Sequence, residues 1–206
     1  MRRFILDIVF LALFSLAITS TITPTAQAAI VDTQASLKEL MIGNKNAPVT
    51  IIEYASLGCP HCANFHKDTY PLLKKHYIDT GKVKMIYRDF PLGASALAAA
   101  MISRCAGPKR RLGMIDLFYR SQAQWGRAQN PLQALTKVAR FGGLTEQDVK
   151  ACIANQELID AVRAGAEQAT TDHNVQSTPS FIINGELIAG NIPFNELQTI
   201  LDKALN

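Results

Sequence analysis

The chain has 206 residues, 48% of them hydrophobic and 18% charged, with 12 Gly and 9 Pro. That balance excludes a disordered tail, a collagen-like repeat and a coiled coil, each of which needs more charge or periodic glycine. Twenty-one Lys and Arg against 17 Asp and Glu leave a formal charge of +4, and the nearest basic cluster is Lys109-Arg110-Arg111, so nothing points to a nucleic-acid partner.

Residues 1–28 read as a signal peptide. Arg2 and Arg3 precede an apolar run from Phe4 to Ile18, interrupted by Asp7, and Ala26-Gln27-Ala28 after Pro24 fits a cleavage site for small residues. The alternative is an uncleaved membrane anchor, for which the run falls short of the roughly 20 residues that span a bilayer. Both deliver the rest of the chain outside the cytoplasm. Cys59, Cys62, Cys105 and Cys152 all lie in that part, where disulfides persist, and four cysteines leave three pairings open.

Residues 29–47 form a lead-in with a small amphipathic patch (Leu37, Leu40, Met41) that is too short for a domain. Val49 to Tyr54 reads as a mostly buried strand. A helix is expected from Pro60 to about Asp79, kinked near Pro71 and closed by Gly81. Lys82–Asp89 alternates as a second strand, and strand, helix and strand make a βαβ unit with parallel strands.

From Ala94 to His173 the pattern is helical only, with apolar faces carried by Leu97, Met101, Ile102 and Cys105, then Leu112 to Phe118, then Leu132, Leu135, Val138 and Phe141. Thr145 and Asp148 suit a capping box, and a long helix is expected over Gln156–His173. Ser180–Ile183 and Leu187–Ala189 around Asn184-Gly185 predict a hairpin, and Phe194, Leu197, Ile200, Leu201 and Leu205 a closing amphipathic helix. The fold class is therefore α/β, with helices inserted between a βαβ part and a ββα part. No linker separates them. The expected organisation is a thioredoxin-like domain of residues 48–93 and 174–206 around a helical insertion of residues 94–173.

Gly58-Cys59-Pro60-His61-Cys62 sits between a buried strand and a helix N-terminus. Disulfide exchange needs a thiolate, and the unpaired N–H groups and positive dipole end of a helix stabilise one at Cys59. Cys62, one turn on, can close a ring with it, which makes Cys59 the attacking sulfur and Cys62 the resolving one. An imidazole at His61 is expected to favour the Cys59 thiolate further, making the disulfide a stronger oxidant. Zinc binding is the competing reading: Cys59 and Cys62 are half a tetrahedral site and His66 follows on the same helix face, but a second ligand pair is missing. His66, His76 and His173 are otherwise expected at the surface or at helix ends, and Trp125 in the core or on the insertion surface.

Cys-Pro-His-Cys after a strand containing Ile52-Glu53-Tyr54, a long helical insertion, and Ser177-Thr178-Pro179-Ser180-Phe181 before a hairpin together resemble the DsbA family of periplasmic thiol–disulfide oxidoreductases, over about residues 44–206. Tyr87-Arg88-Asp89-Phe90-Pro91-Leu92 is more similar to the smaller branch found in alphaproteobacteria and Gram-positive bacteria than to the enteric type. The resemblance implies a thioredoxin fold, no cofactor, reduced exported polypeptides as substrates, a monomer, and reoxidation by a DsbB-type quinone-linked membrane partner. It makes Thr178-Pro179 the cis-proline loop that faces the active disulfide and binds extended substrate. It makes Glu53 the buried acid that moves protons at Cys62, and a carboxyl in an apolar strand holds its proton more tightly, which suits that task. Tyr87 stands where the enteric pattern has a compensating Lys, and Thr178 where it has Val. Cys105 and Cys152 become a structural disulfide of the insertion, as in some alphaproteobacterial relatives. An isomerase or reductase of the same fold and a zinc- or peptide-binding module are the rival functions; such isomerases carry a dimerising N-terminal domain for which residues 29–47 leave no room.

Overall fold

The computed structural model describes residues 32–206, so the expected signal peptide lies outside the described residues. A five-stranded sheet organises the chain, with strands β1 (Leu40–Ile42), β2 (Val49–Ala55), β3 (Val83–Asp89), β4 (Ser180–Ile183) and β5 (Glu186–Ala189) in the spatial order β1-β3-β2-β4-β5. β2 and β3 are parallel, with Glu53 beside Tyr87, and β4 runs antiparallel to β2 on its other edge, with Glu53 beside Phe181. β2 is thus the central strand. Its near-continuous apolar run follows from having both faces covered.

The lead-in is more structured than its short pattern predicts. Helix α1 (Thr33–Leu37) starts on an Asp32 cap, and β1 adds an antiparallel edge to β3. Leu40 and Ile42 turn inward while Met41 is exposed, which corrects the expected patch: a strand alternates sides, and three residues are too few to display the period.

The helix after β2 is a composite. α2 (Pro60–Asn64) and α3 (Tyr70–Leu73) are joined by a π-helical turn over Phe65–Thr69, and a second one follows over Lys74–Ile78. Pro71 sits at the start of α3, and the wide turn before it accommodates a ring that would collide with a regular helix. The expected kink is therefore taken up as two widened turns. Six helices follow: α4 (Ala94–Cys105), α5 (Arg111–Arg120), α6 (Gln122–Gly126), α7 (Pro131–Phe141), α8 (Glu146–Ile153) and α9 (Gln156–His173). The Thr145–Asp148 capping box opens α8, and α9 starts on an Asn155 cap. Phe141 departs from the expected apolar face of α7. It is 85% exposed because it ends the helix just before the Gly142-Gly143 turn carries the chain away. Trp125 is buried and donates its indole N–H to the Phe118 carbonyl.

The hairpin β4–β5 turns on Asn184 and Gly185, both at positive φ, the two-residue turn that Asn-Gly favours. Helix α10 (Phe194–Leu205) closes the chain, burying Leu197 and Leu201.

Candidate active site

Cys59 is the N-cap of α2, and Pro60 takes the first helical position, where its missing N–H costs nothing. The turn before it is held from three sides. Ser56 Oγ accepts the N–H of Gly58 at 3.2 Å and that of Leu92 at 3.1 Å, tying the turn to the loop after β3. Gly58 packs so closely on α4 that a Cβ there would stand 3.1 Å from the Ala96 Cβ. Gln122 of α6 donates to the carbonyls of Leu57 and Cys59, at 2.7 and 3.0 Å.

The two cysteines are free thiols in this structure. Cys59 retains 6% exposure and Cys62 none. The Cys59 thiol is lowered to about 5, first by the hydrogen bond it receives from the Cys62 thiol, against the opposing cost of burial, then by Thr178 and by the backbone N–H groups of Cys62 and His61. Cys62 moves the other way. Burial, the hydrogen bond it gives to Cys59 and the charge of Glu53 push its thiol far up. Two sulfurs one turn apart therefore differ strongly in acidity, because one sits at the helix mouth and the other behind it.

The Thr178–Pro179 bond is cis, and the Thr178 carbonyl accepts the Cys59 thiol hydrogen at 3.2 Å. The loop after α9 is thus brought against the turn after β2, across 119 residues of chain. Pro60 and His61 are exposed beside the sulfur. His61 is exposed, and among the causes of the Cys59 shift it acts through its backbone N–H. A side chain at the second helical position points away from the axis, whereas its N–H points toward the cap.

Glu53 is fully buried in β2, and both of its oxygens lie 3.0 Å from Nε2 of His66. His66 is therefore neither a surface residue nor a helix-end residue. It is buried in the first π-helical turn, stacked on the Tyr119 ring at 4.5 Å between centroids and tilted against Tyr70 at 5.1 Å. Tyr87, in place of a compensating lysine, hydrogen-bonds the Tyr119 hydroxyl at 3.0 Å. The spacing of four residues from Cys62 was the available signal for His66, since it puts the ring on the sheet-facing side of the same helix. Gln122 left no signal: a lone glutamine in a helical segment has no pattern.

Cys105 of α4 and Cys152 of α8 are joined as a disulfide, with Cα atoms 6.2 Å apart. They lie with Ala100, Met101, Leu158 and Val162 in an apolar cluster of their own.

A thioredoxin-like sheet with a reactive cysteine at a helix mouth, a sealed partner one turn behind it and a cis-proline loop opposite defines the dithiol–disulfide class of thioredoxin-fold proteins. Residues 35–203 match the family model described as Thioredoxin. Two curated relatives named protein-disulfide oxidoreductase, from Rickettsia bellii and Rickettsia conorii, are 30% and 31% identical over 81% and 88% of this chain. The chain spans 64% and 66% of their lengths. The crystal structure of Wolbachia pipientis alpha-DsbA1 superposes with a TM-score of 0.77 at 28% identity, covering 82% of this chain and 91% of that one. The chain belongs to the thioredoxin family, in the DsbA-like form that carries a helical insertion.

Proposed function

We propose that this protein is a thiol–disulfide oxidase that passes its Cys59–Cys62 disulfide to exported polypeptides through a mixed disulfide at Cys59. The observation that carries the reading is the acidity of Cys59, lowered to about 5 at the mouth of α2. The thiolate exists only in the reduced form, so its stability makes the protein give its disulfide away. At neutral pH that ionisation is worth up to roughly 60 mV of added oxidising strength for the two-electron couple, less whatever solvent screening removes.

A substrate thiolate bonds to the Cys59 sulfur and the Cys59–Cys62 bond breaks, leaving the electron pair on Cys62. A second substrate thiolate then attacks its partner sulfur, expels Cys59 as a thiolate and leaves with the new disulfide. The cis-proline loop supports this step, because Thr178 already approaches the Cys59 sulfur and an extended peptide can lie beside it. Residues 1–28 act in this reading as the export signal to the periplasm, the protein works as a monomer, and a DsbB-type membrane partner reoxidises it. The division into a thioredoxin-like unit and a helical insertion over residues 94–173 belongs to the same reading. The relatives' names and the Wolbachia fold agree with the chemistry.

Equilibration in glutathione buffers tests the direction. A disulfide markedly more oxidising than glutathione, with Cys59→Ser inactive in oxidising a reduced peptide, is the expected result. A potential near that of thioredoxin would instead assign the protein as a reductase or isomerase.

A further inference from the structure

A carboxylate sealed from water is costly unless something offsets its charge. Glu53 is 0% exposed, and among the described residues its hydrogen-bonding and ion-pairing partner is His66 alone, at 3.0 Å to each oxygen. The groups packed around the pair come from four elements: Cys62 and Tyr70 from the composite helix, Tyr87 from β3, Tyr119 from α5 and Phe181 from β4. Burial, the largest cause in each case, raises the Tyr70 hydroxyl to about 12 and those of Tyr87 and Tyr119 well above the ordinary value, so all three stay protonated at working pH. The groups left to move a proton are Cys62, Glu53 and His66. Of these only His66 keeps an edge to solvent, at 9% exposure.

We infer that His66 is the positioning residue that passes protons between solvent and Glu53, and through Glu53 to the sulfur of Cys62. The inference rests on the Cys59–Cys62 pair being redox-active and not on the direction in which it runs. Glu53 and His66 hold one proton between them. When the disulfide opens, Cys62 leaves as a thiolate and takes that proton from Glu53, and solvent then protonates the His66 ring, which restores the pair. When the disulfide closes, His66 first releases the pair's proton to solvent, Glu53 takes the proton of the Cys62 thiol, and the Cys62 sulfur displaces whatever thiolate is bound to Cys59. One proton crosses the ring in each direction. A lysine in the place of Tyr87 would offset the charge but would not carry protons at neutral pH, so the histidine supplies more than compensation.

The test is the rate at which reduced glutathione opens the disulfide of the full chain, followed by acid quench and alkylation across pH, in the wild type, His66→Gln, Glu53→Gln and the double variant. His66→Gln should slow opening by about tenfold at neutral pH, with the double variant no slower than Glu53→Gln alone. Added imidazole should restore much of the rate to His66→Ala. A ring that only fills space would lower the melting temperature and leave the pH profile of the rate unchanged. Opening within about twofold of wild type at every pH in His66→Gln overturns the relay, as does additivity in the double variant. Should His66→Gln fail to fold, the same decision falls to His66→Asn, whose amide does not carry a proton: slowed opening with an altered pH profile supports the relay, and opening at the wild-type rate overturns it. The equilibrium potential is measured separately, so a reducing potential would end the oxidase reading without touching these rates.

Discussion

The acidity of Cys59 is produced first by the hydrogen bond from the Cys62 thiol and then by other groups around its own turn, with no cationic side chain among the causes. The Cys62 thiol, one turn into α2, is the largest cause, and the N–H groups that the helix mouth leaves without partners add to it. The pH dependence follows in sign. A thiolate that forms at about 5 keeps Cys59 reactive throughout the neutral range, and reactivity falls only as acid protonates it below that point. Alkylation of reduced protein by iodoacetamide should therefore be nearly flat from neutral pH down to about pH 6 and drop with a midpoint near 5. A midpoint near that of a free cysteine would show that the turn does not stabilise the anion. His61→Ala should shift this midpoint little, because the contribution of residue 61 runs through its N–H. The motif Cys-Pro-His-Cys was visible in the sequence, but the division of labour inside it was not. Which end of His61 faces the sulfur depends on the helix path.

At the scale of elements, the cap, the hairpin and α9 lie where local chemistry puts them, since Thr145-Asp148, Asn184-Gly185 and the apolar period of residues 156–173 act over a few residues each. β1 and α6 escaped detection because they are short and draw their stability from what they pack on. The disulfide joins α4 to α8 across a sequence separation of 47. A closed loop of that length removes enough unfolded-state freedom to stabilise by about 4 kcal/mol at the upper end. Cys105→Ala with Cys152→Ala should lower the urea midpoint correspondingly. The Cys59 alkylation midpoint should stay where it was, because the staple sits in an apolar cluster apart from the active turn. A shifted Cys59 midpoint would show that the staple reaches the site.

Across the whole molecule, one carboxylate binds the parts together. Asp89 ends β3 next to the active loop and is buried, with Oδ2 accepting from Arg104 of α4 at 2.6 Å and from Arg111 of α5 at 2.9 Å. The same two guanidinium groups donate to the carbonyls of Ser36 and Lys38, so sheet, insertion and lead-in meet at one point. Asp89→Ala should cost about 3–5 kcal/mol in denaturant unfolding, because it strands two arginine charges, Arg111 being almost wholly buried. A loss below about 1 kcal/mol would place the junction among solvent-screened surface pairs.

The longer strands and helices in their order, the Cys59–Cys62 spacing and the loop before the hairpin were legible in sequence alone, because each is written in neighbouring residues: apolar period, turn chemistry and a two-cysteine spacing. Tertiary structure decided what stands behind the pair. His66 meets Glu53 only because a widened helix turn faces the central strand, and Gln122 meets the Cys59 carbonyl only because a short helix of the insertion docks over the turn. Such contacts join residues from separate elements, and their energy exists only once the elements have packed.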